Sequence, residues 1–333
     1  MNRRELFAAA AAAPLALALP DAALGRRTGG TPTAFVTADT ESHVVAIDLS
    51  TGTVSRRIRT LPGPRSIESA FMNWAVVAHT ASGRLSVLHA STFTVRRVIR
   101  GFREPRYTAI HPSPAEGSLA ARPLAYVTDS ARHEVVTVDL VKGKILWRTA
   151  VPGPARHISV SPDGAALWTA LGTKAVQVAV LDLEDPRRPR LVRTFTPPFL
   201  AHDVVFADDG QHVWITSGDR RRLAVYEYAG RRPVAVLEAG APPQHVVFRS
   251  PGNRRVFVAS GDDGTVRMHR ADGTLLNETE VPIGSYNLTL GWQGVITPSL
   301  NQGTLALLDT RGQVRSVQRV ARAAHDACLV WTP

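Results

Sequence analysis

The sequence contains a single cysteine, Cys328, among 333 residues. One thiol cannot form an internal disulfide, and a single cysteine also excludes a metal site built from several thiolates. Lysine is scarce as well, since all but three of the 39 basic residues are arginine. The chain also lacks the G-x-S-x-G nucleophile elbow, a phosphate-binding glycine loop and the C-x-x-C-H haem attachment. No common catalytic or nucleotide-binding motif therefore assigns it an activity.

The composition is that of an ordinary globular protein, with 44% hydrophobic and 20% charged residues. Such a chain is long enough for one large domain or two average ones. The net charge of +11 suits a small anionic partner, although a solvated basic surface would give the same count. The arginine run at 220–222 has only Tyr226 and Tyr228 near it, whereas single-strand binding combines basic residues with interleaved aromatic rings. We therefore expect a small anionic ligand or another envelope protein as partner, and no nucleic acid.

The first 25 residues have the pattern of an export signal. They read "MNRRELFAAAAAAPLALALPDAALG", a basic start followed by an apolar stretch too short to span a membrane well. Arg3 and Arg4 resemble a twin-arginine signal, and a general secretory signal is the alternative. The pattern predicts an export signal over 1–25 and a mature domain over 26–333. We expect a periplasmic, cell-wall-associated or secreted monomer without a transmembrane anchor after cleavage.

The remaining chain repeats a unit of four short β-type runs about every 43 residues, a period typical of propeller blades. Within a unit, aromatic and β-branched residues alternate with period two between turn residues. Turns such as "SPDG" (161–164) supply the Asp-Gly pair that favours a tight hairpin. Seven residues stand in register before the first run of each unit: Ser66, Tyr107, His157, His202, His245, Tyr286 and His325. The sequence therefore predicts an all-β, seven-bladed propeller of four-stranded antiparallel blades.

The two ends of the repeat region predict how the ring closes. "AFVTA" (34–38) matches the second run of a unit, whereas the C-terminal "AHDACLVWTP" matches a first run. The C-terminal strand should therefore join the N-terminal blade and leave no open sheet edge. This arrangement places Cys328 on an inner strand, where we expect a buried and unreactive thiol.

Several stretches resemble a known family. "VVAIDLSTG" (44–52), "AYVTDSARHEVVTVDLVKG" (125–143) and "SPDG" after a β-type run are similar to the YVTN/YncE-type seven-bladed propellers. These are relatives of lactonase-like and nitrite-reductase haem propellers. The resemblance implies the propeller fold over residues 34–333. It does not choose a function, because that superfamily hosts binding scaffolds, lactonases, lyases and metalloenzymes on one frame.

In such a propeller the register residues should converge on one mouth of the central channel. Arginines precede the register position on three successive blades, and acidic residues follow it on two others. The expected ligand-binding residues are Arg65, Arg106, Tyr107, Arg156 and Tyr286. The candidate metal-binding residues are His157, His202, His245, His325, Asp203 and Asp326.

Three hypotheses account for the histidines. Each imidazole could cap a neighbouring turn or blade, as buried polar groups must. His157, His202 and His245, on consecutive blades, could share zinc or copper, with an aspartate as a ligand or as a partner that orients an imidazole. Alternatively, histidine and arginine together could hold an anion without metal.

The preferred interpretation is an exported propeller that acts as a binding or scaffold protein, with its ligand site at the channel mouth. The alternative is a metal-dependent hydrolase or lyase at the same mouth. In that case the ion would polarise a carbonyl or activate water, and Asp203 or Asp326 would take a proton.

Overall fold

The computed structural model describes residues 30–112, 123–249 and 255–333, so the predicted export signal lies outside the described residues. In these three ranges 28 strands form seven four-stranded antiparallel sheets, and the prediction of seven four-stranded blades is confirmed. The only helical segments in the same ranges are short 3₁₀ turns at Thr80–Ser82 and Ala90–Thr92. No helix in the described part of the chain is long and apolar enough to cross a membrane.

The strands follow one another blade by blade, and each blade runs from an inner to an outer strand. The chain begins with the three outer strands of blade 7, which are β1 (Thr31–Ala38), β2 (His43–Asp48) and β3 (Thr53–Arg59). Blade 1 consists of β4 (Ser66–Ala70), β5 (Trp74–His79), β6 (Arg84–His89) and β7 (Thr94–Arg100). Blade 2 consists of β8 (Pro105–Ile110), β9 (Leu124–Asp129), β10 (Glu134–Asp139) and β11 (Lys144–Ala150). Blade 3 consists of β12 (Ile158–Val160), β13 (Ala166–Ala170), β14 (Val178–Asp182) and β15 (Arg190–Phe195).

The second half of the ring continues in the same order. Blade 4 consists of β16 (Ala201–Phe206), β17 (His212–Ser217), β18 (Arg222–Glu227) and β19 (Pro233–Glu238). Blade 5 consists of β20 (Val246–Arg249), β21 (Arg255–Ser260), β22 (Thr265–Arg270) and β23 (Leu275–Glu280). Blade 6 consists of β24 (Thr289–Leu290), β25 (Gly294–Pro298), β26 (Thr304–Asp309) and β27 (Val314–Arg319). The inner strand of blade 7 is β28 (Ala324–Thr332).

The hydrophobic core lies between the blades. Successive side chains of a strand point to opposite faces of a sheet, so each blade packs on both of its neighbours. In β13, for example, Leu167 packs in the cluster shared with blade 2 and Trp168 in the cluster shared with blade 4. The described residues contain seven such clusters, one for each interface between adjacent blades. The ring is therefore continuous.

The ring closes as the sequence predicts. Strand β28 pairs antiparallel with β1, with Cys328 opposite Phe35 and Ala327 opposite Val36. Cys328 is 2% exposed, and its burial raises the pKa of the thiol well above the ordinary value. A buried thiol that stays protonated is a poor nucleophile, in agreement with the expected inert role.

Candidate functional site

The seven inner strands surround a central cavity of about 510 Å³. At one end the cavity is lined by buried register residues, among them Ser66 and His157, which are 3% and 1% exposed. At the other end it is lined by Phe71, which is 41% exposed. The cavity therefore extends from the register residues to the opposite face of the ring, where Phe71 meets solvent.

The predicted register holds in four blades and is displaced in the other three. Ser66, Tyr107, His157 and His245 line the cavity as expected. In blades 4, 6 and 7 the residues that line it are instead Asp203, Leu288 and Asp326, where the sequence alignment placed His202, Tyr286 and His325.

β-Bulges explain the displacement in blades 4 and 7. Ala201 pairs with Ser217 and Val204 with Ile215, so the inner strand of blade 4 holds one extra residue. The same irregularity occurs in blade 7 between Ala324 and Ala327, and in blade 2 between Pro105 and Thr108, where the second bulge residue is the predicted register residue Tyr107. A bulge places two residues opposite one on the partner strand. The pair His202–Asp203 in blade 4 and the pair His325–Asp326 in blade 7 therefore each occupy a position that a single residue fills in blades 3 and 5.

Four aromatic rings pack across the end of the channel, and we call them the ring plug: Tyr107, His157, His202 and His245. The ring centroid of Tyr107 lies 4.0 Å from that of His157 and 6.1 Å from that of His245. The centroid of His157 lies 4.5 Å from that of His202 and 5.0 Å from that of His245. Because Tyr107 belongs to blade 2 and His245 to blade 5, these contacts cross the channel.

The histidines differ in their hydrogen bonds. His202 Nδ1 lies 3.0 Å from the carbonyl oxygen of Thr173 in the preceding blade, and His325 Nδ1 lies 3.1 Å from that of Arg65. These two contacts fit the capping hypothesis. His245 Nδ1 lies 3.2 Å from Asp203 Oδ2. In contrast, neither ring nitrogen of His157 has a hydrogen-bond partner of good geometry among the described residues, although the backbone of His202 lies near the ring.

Burial keeps the plug imidazoles neutral. It lowers the pKa of His202 and of His245 to about 4. The pKa of His157 is lowered well below its ordinary value by burial and, secondarily, by the two neighbouring imidazoles. Because His245 is neutral, its 3.2 Å contact with Asp203 is not an ion pair.

The candidate metal-binding residues are only partly brought together. His157, His202 and His245 come together as expected, but His325 is not part of the ring plug. Among the residues that the structure describes, no group of three or more histidine, cysteine, aspartate or glutamate side chains could hold a metal ion.

The two aspartates join adjacent blades. Asp203 accepts hydrogen bonds from the backbone N–H of Val204 and, at 3.4 Å, from that of Val246 in blade 5. Asp326 accepts hydrogen bonds in the same way from Ala327 and from Ile67 in blade 1, at 2.9 and 3.0 Å.

Burial raises the pKa of each of these aspartates to about 7. The four backbone bonds occupy their oxygens, so the geometry supports a role in holding the blades together rather than in ligating a metal.

The predicted ligand-binding arginines meet on the face beyond the ring plug. Arg65 pairs with Asp39 at 2.8 Å, and Arg106 pairs with Glu104. Arg156 lies beside the side chain of Tyr107 and forms no ion pair with any described residue. Burial lowers the pKa of Arg156, and the guanidinium groups of Arg106 and Arg65 lower it further. These three cations therefore lie close enough to repel one another. We call this group the arginine face: Arg65, Arg106 and Arg156.

A depression of about 600 Å³ opens on the arginine face and is lined by Arg65, Arg103 and Arg106. The sequence analysis missed Arg103, which lies outside the repeat register. It also missed Glu68, which lines the central cavity. Glu68 stands two residues beyond Ser66 on β4, so strand periodicity places both on the same side and could have identified it. Tyr286 does not join the plug, and its hydroxyl donates a hydrogen bond to Asp262 at 2.9 Å.

No protein-family profile matches the chain, and no curated protein is detectably similar to it. Solved structures do share its fold. A functionally unknown protein from Desulfotomaculum acetoxidans is 13% identical, with a TM-score of 0.74 over 90% of this chain and 98% of that one. A candidate 6-phosphogluconolactonase from Bacteroides fragilis is 11% identical, with a TM-score of 0.71 over 91% and 99% of the two chains.

A third neighbour is the dihydro-haem d1 dehydrogenase NirN in complex with DHE. It is 14% identical, with a TM-score of 0.61 over 87% of this chain and 64% of that one. At such identities the likeness shows the fold alone, since one propeller frame carries unrelated functions. It is the fold that the resemblance in the sequence implied.

Proposed function

We propose that this propeller is an exported binding protein that holds a small anionic ligand on the arginine face. The observation that carries the proposal is the convergence of three guanidinium groups, of which Arg156 has no carboxylate partner among the described residues. Export rests on residues 1–25 alone, which lie outside the described part of the chain.

The uncompensated charge of Arg156 is the main attraction for an anion. Its Nε is buried and has no hydrogen-bond partner among the described residues. A guanidinium group binds carboxylate and phosphate oxygens through charge-assisted hydrogen bonds, which are stronger than neutral ones. An anion would also relieve the repulsion among the three arginines. The adjacent depression offers space for a ligand larger than a single carboxylate.

The hydrolase alternative depended on a metal shared by the histidines. Because no described group could hold one, no observation favours that activity over binding.

Calorimetric titration with citrate and with inorganic phosphate tests the proposal. Arg156→Met removes the charge and keeps an apolar stem of similar length. We expect this substitution to weaken anion binding at least about tenfold, the loss typical of a charge-assisted contact. Arg96→Met is the control, because Arg96 is exposed on an outer strand and its loss changes the net charge equally.

The wild-type affinity should decline as salt rises, because exposed electrostatic attraction is screened. A folded Arg156→Met protein with the affinity of the wild type would refute the proposal. So would a wild type that binds neither anion at low ionic strength.

A further inference from the structure

The central cavity is lined by acidic groups although the whole chain is basic. Four carboxylates are among its lining residues: Glu68, Asp203, Asp208 and Asp326. No lysine or arginine lines it within the described ranges, although the chain carries a net charge of +11. We call this cavity the acidic lumen. A cavity of about 510 Å³ is within the size range of small-molecule sites.

Two buried polar side chains that line the acidic lumen have no partner. His157 is 1% exposed, and both of its ring nitrogens lack a hydrogen bond to any described residue. Thr108 is 8% exposed, and its Oγ1 also lacks a partner in the described part of the chain. Buried polar groups in folded proteins are nearly always satisfied. A neutral imidazole nitrogen and a hydroxyl oxygen can both accept a hydrogen bond.

We propose that the acidic lumen binds an organic ammonium ion with an apolar body. An ammonium group carries three N–H donors and no acceptor, which suits carboxylate, imidazole and hydroxyl acceptors around one space. The remaining wall is largely apolar and includes Val205, Phe206, Phe248 and Leu290. An aliphatic or aromatic body could therefore lie against it while the charged end meets the carboxylates.

Glu68 is the principal partner for the charge. Among the described residues, the only hydrogen bond to its side chain comes from the backbone N–H of Ser69 to Oε1, at 3.2 Å. The oxygens of Asp203 and Asp326, in contrast, accept backbone bonds that hold the blades. Burial and then the neighbouring charge of Asp326 raise the pKa of Glu68 to about 8. Glu68 is therefore largely protonated at neutral pH without a ligand, and an ammonium ion bound beside it would favour the carboxylate form and pair with it.

The test uses 2-phenylethylamine as the cationic probe and 2-phenylethanol as its neutral counterpart of similar shape. Calorimetric titration of the full chain should detect the amine and show at least about tenfold weaker binding of the alcohol. Glu68→Gln should lower the amine affinity by a similar factor and leave that of the alcohol unchanged. Glu280→Gln is the control, since Glu280 is exposed on the outer strand of blade 5.

Thr108→Val keeps the shape of the side chain and removes the unpartnered hydroxyl. We expect it to fold normally and to bind the amine more weakly than the wild type does. Arg156→Met removes a cation near His157 and should not weaken amine binding, whereas it should weaken anion binding, which separates the two sites.

Three results would overturn the proposal. One is a wild type that does not bind the amine, and another is equal affinity for the amine and the alcohol. The third is unchanged amine affinity in folded Glu68→Gln protein.

Discussion

At the scale of single residues, similar imidazoles in one plug have different bonding. His202 reaches a carbonyl oxygen of the neighbouring blade, so its ring contributes a hydrogen bond to the fold. His157 is almost fully buried and has no such bond within the described residues. A buried polar group without a partner costs stability, whereas a satisfied one does not. The fold alone therefore does not account for the imidazole at position 157.

This difference predicts opposite effects of the same substitution. His157→Leu should leave the melting temperature unchanged or raise it, because leucine has a similar size and no polar atoms to desolvate. His202→Leu should lower the stability by about 1 kcal/mol, because it leaves the carbonyl oxygen of Thr173 without its donor. Thermal unfolding of both variants beside the wild type gives the comparison.

If His157→Leu lowered the stability more than His202→Leu does, the His157 nitrogens would be hydrogen-bonded or metal-bound in solution. Titration of the wild type with zinc and with copper would then identify a metal as the partner. Stoichiometric binding that is lost in His157→Leu would favour the metal hypothesis over the present one.

At the scale of strands and turns, the sequence predicts the repeat but not its irregularities. Alternating apolar residues repeat in every unit and Asp-Gly turns recur in blades 3, 4 and 5. The structure has Gly164 at φ +73° in the turn where the sequence predicts it. The bulge at His202 and Asp203 has no recognisable sequence pattern, because a histidine also precedes the inner strands of blades 3 and 5, which have no bulge. One extra residue decides whether a histidine or an aspartate lines the cavity. The site could therefore be located on the ring but not assigned residue by residue.

Two glycines with left-handed backbone allow the cost of a positive φ to be compared with the added cost of a steric clash. Gly303 has φ +65°, and a Cβ built on it would lie 2.1 Å from the carbonyl oxygen of Ala321, in the segment that leads into β28. Gly52 has φ +73°, but a Cβ there would meet nothing within 4 Å. Gly52→Ala should cost only the left-handed strain of about 1–2 kcal/mol. Gly303→Ala should cost clearly more, because the backbone near Ala321 must also move.

Denaturant unfolding of the two alanine variants measures the difference. Equal losses in the free energy of unfolding would show that the backbone near Ala321 can move aside at no energetic cost. The closing segment would then be less tightly packed than the structure indicates.

At the scale of the whole molecule, basic and acidic side chains line different parts of the ring. The depression beyond the ring plug is lined by arginines together with their partners Asp39 and Glu104, whereas the lumen is lined by acidic groups and, among the described residues, by no lysine or arginine. Glu68 and Asp326 are distant in the sequence and meet only because the ring closes. The arginine face could be predicted because its three arginines precede register positions in the sequence. The acidic lumen could not, because its acidic residues come together only in the folded ring.

Ring closure supports both sites, and the last strand is the place to test it. Strand β28 packs Ala327 and Leu329 against blade 6, and Cys328 and Val330 in the interface with blade 1. Deletion of residues 325–333 should remove both interfaces, expose the edge of β1 and cause aggregation or a large fall in melting temperature. Leu329→Ala is the milder variant, expected to stay folded and lose about 2–5 kcal/mol because a buried side chain is truncated. A truncated protein that stays monomeric and melts like the parent would show that β28 does not close the ring.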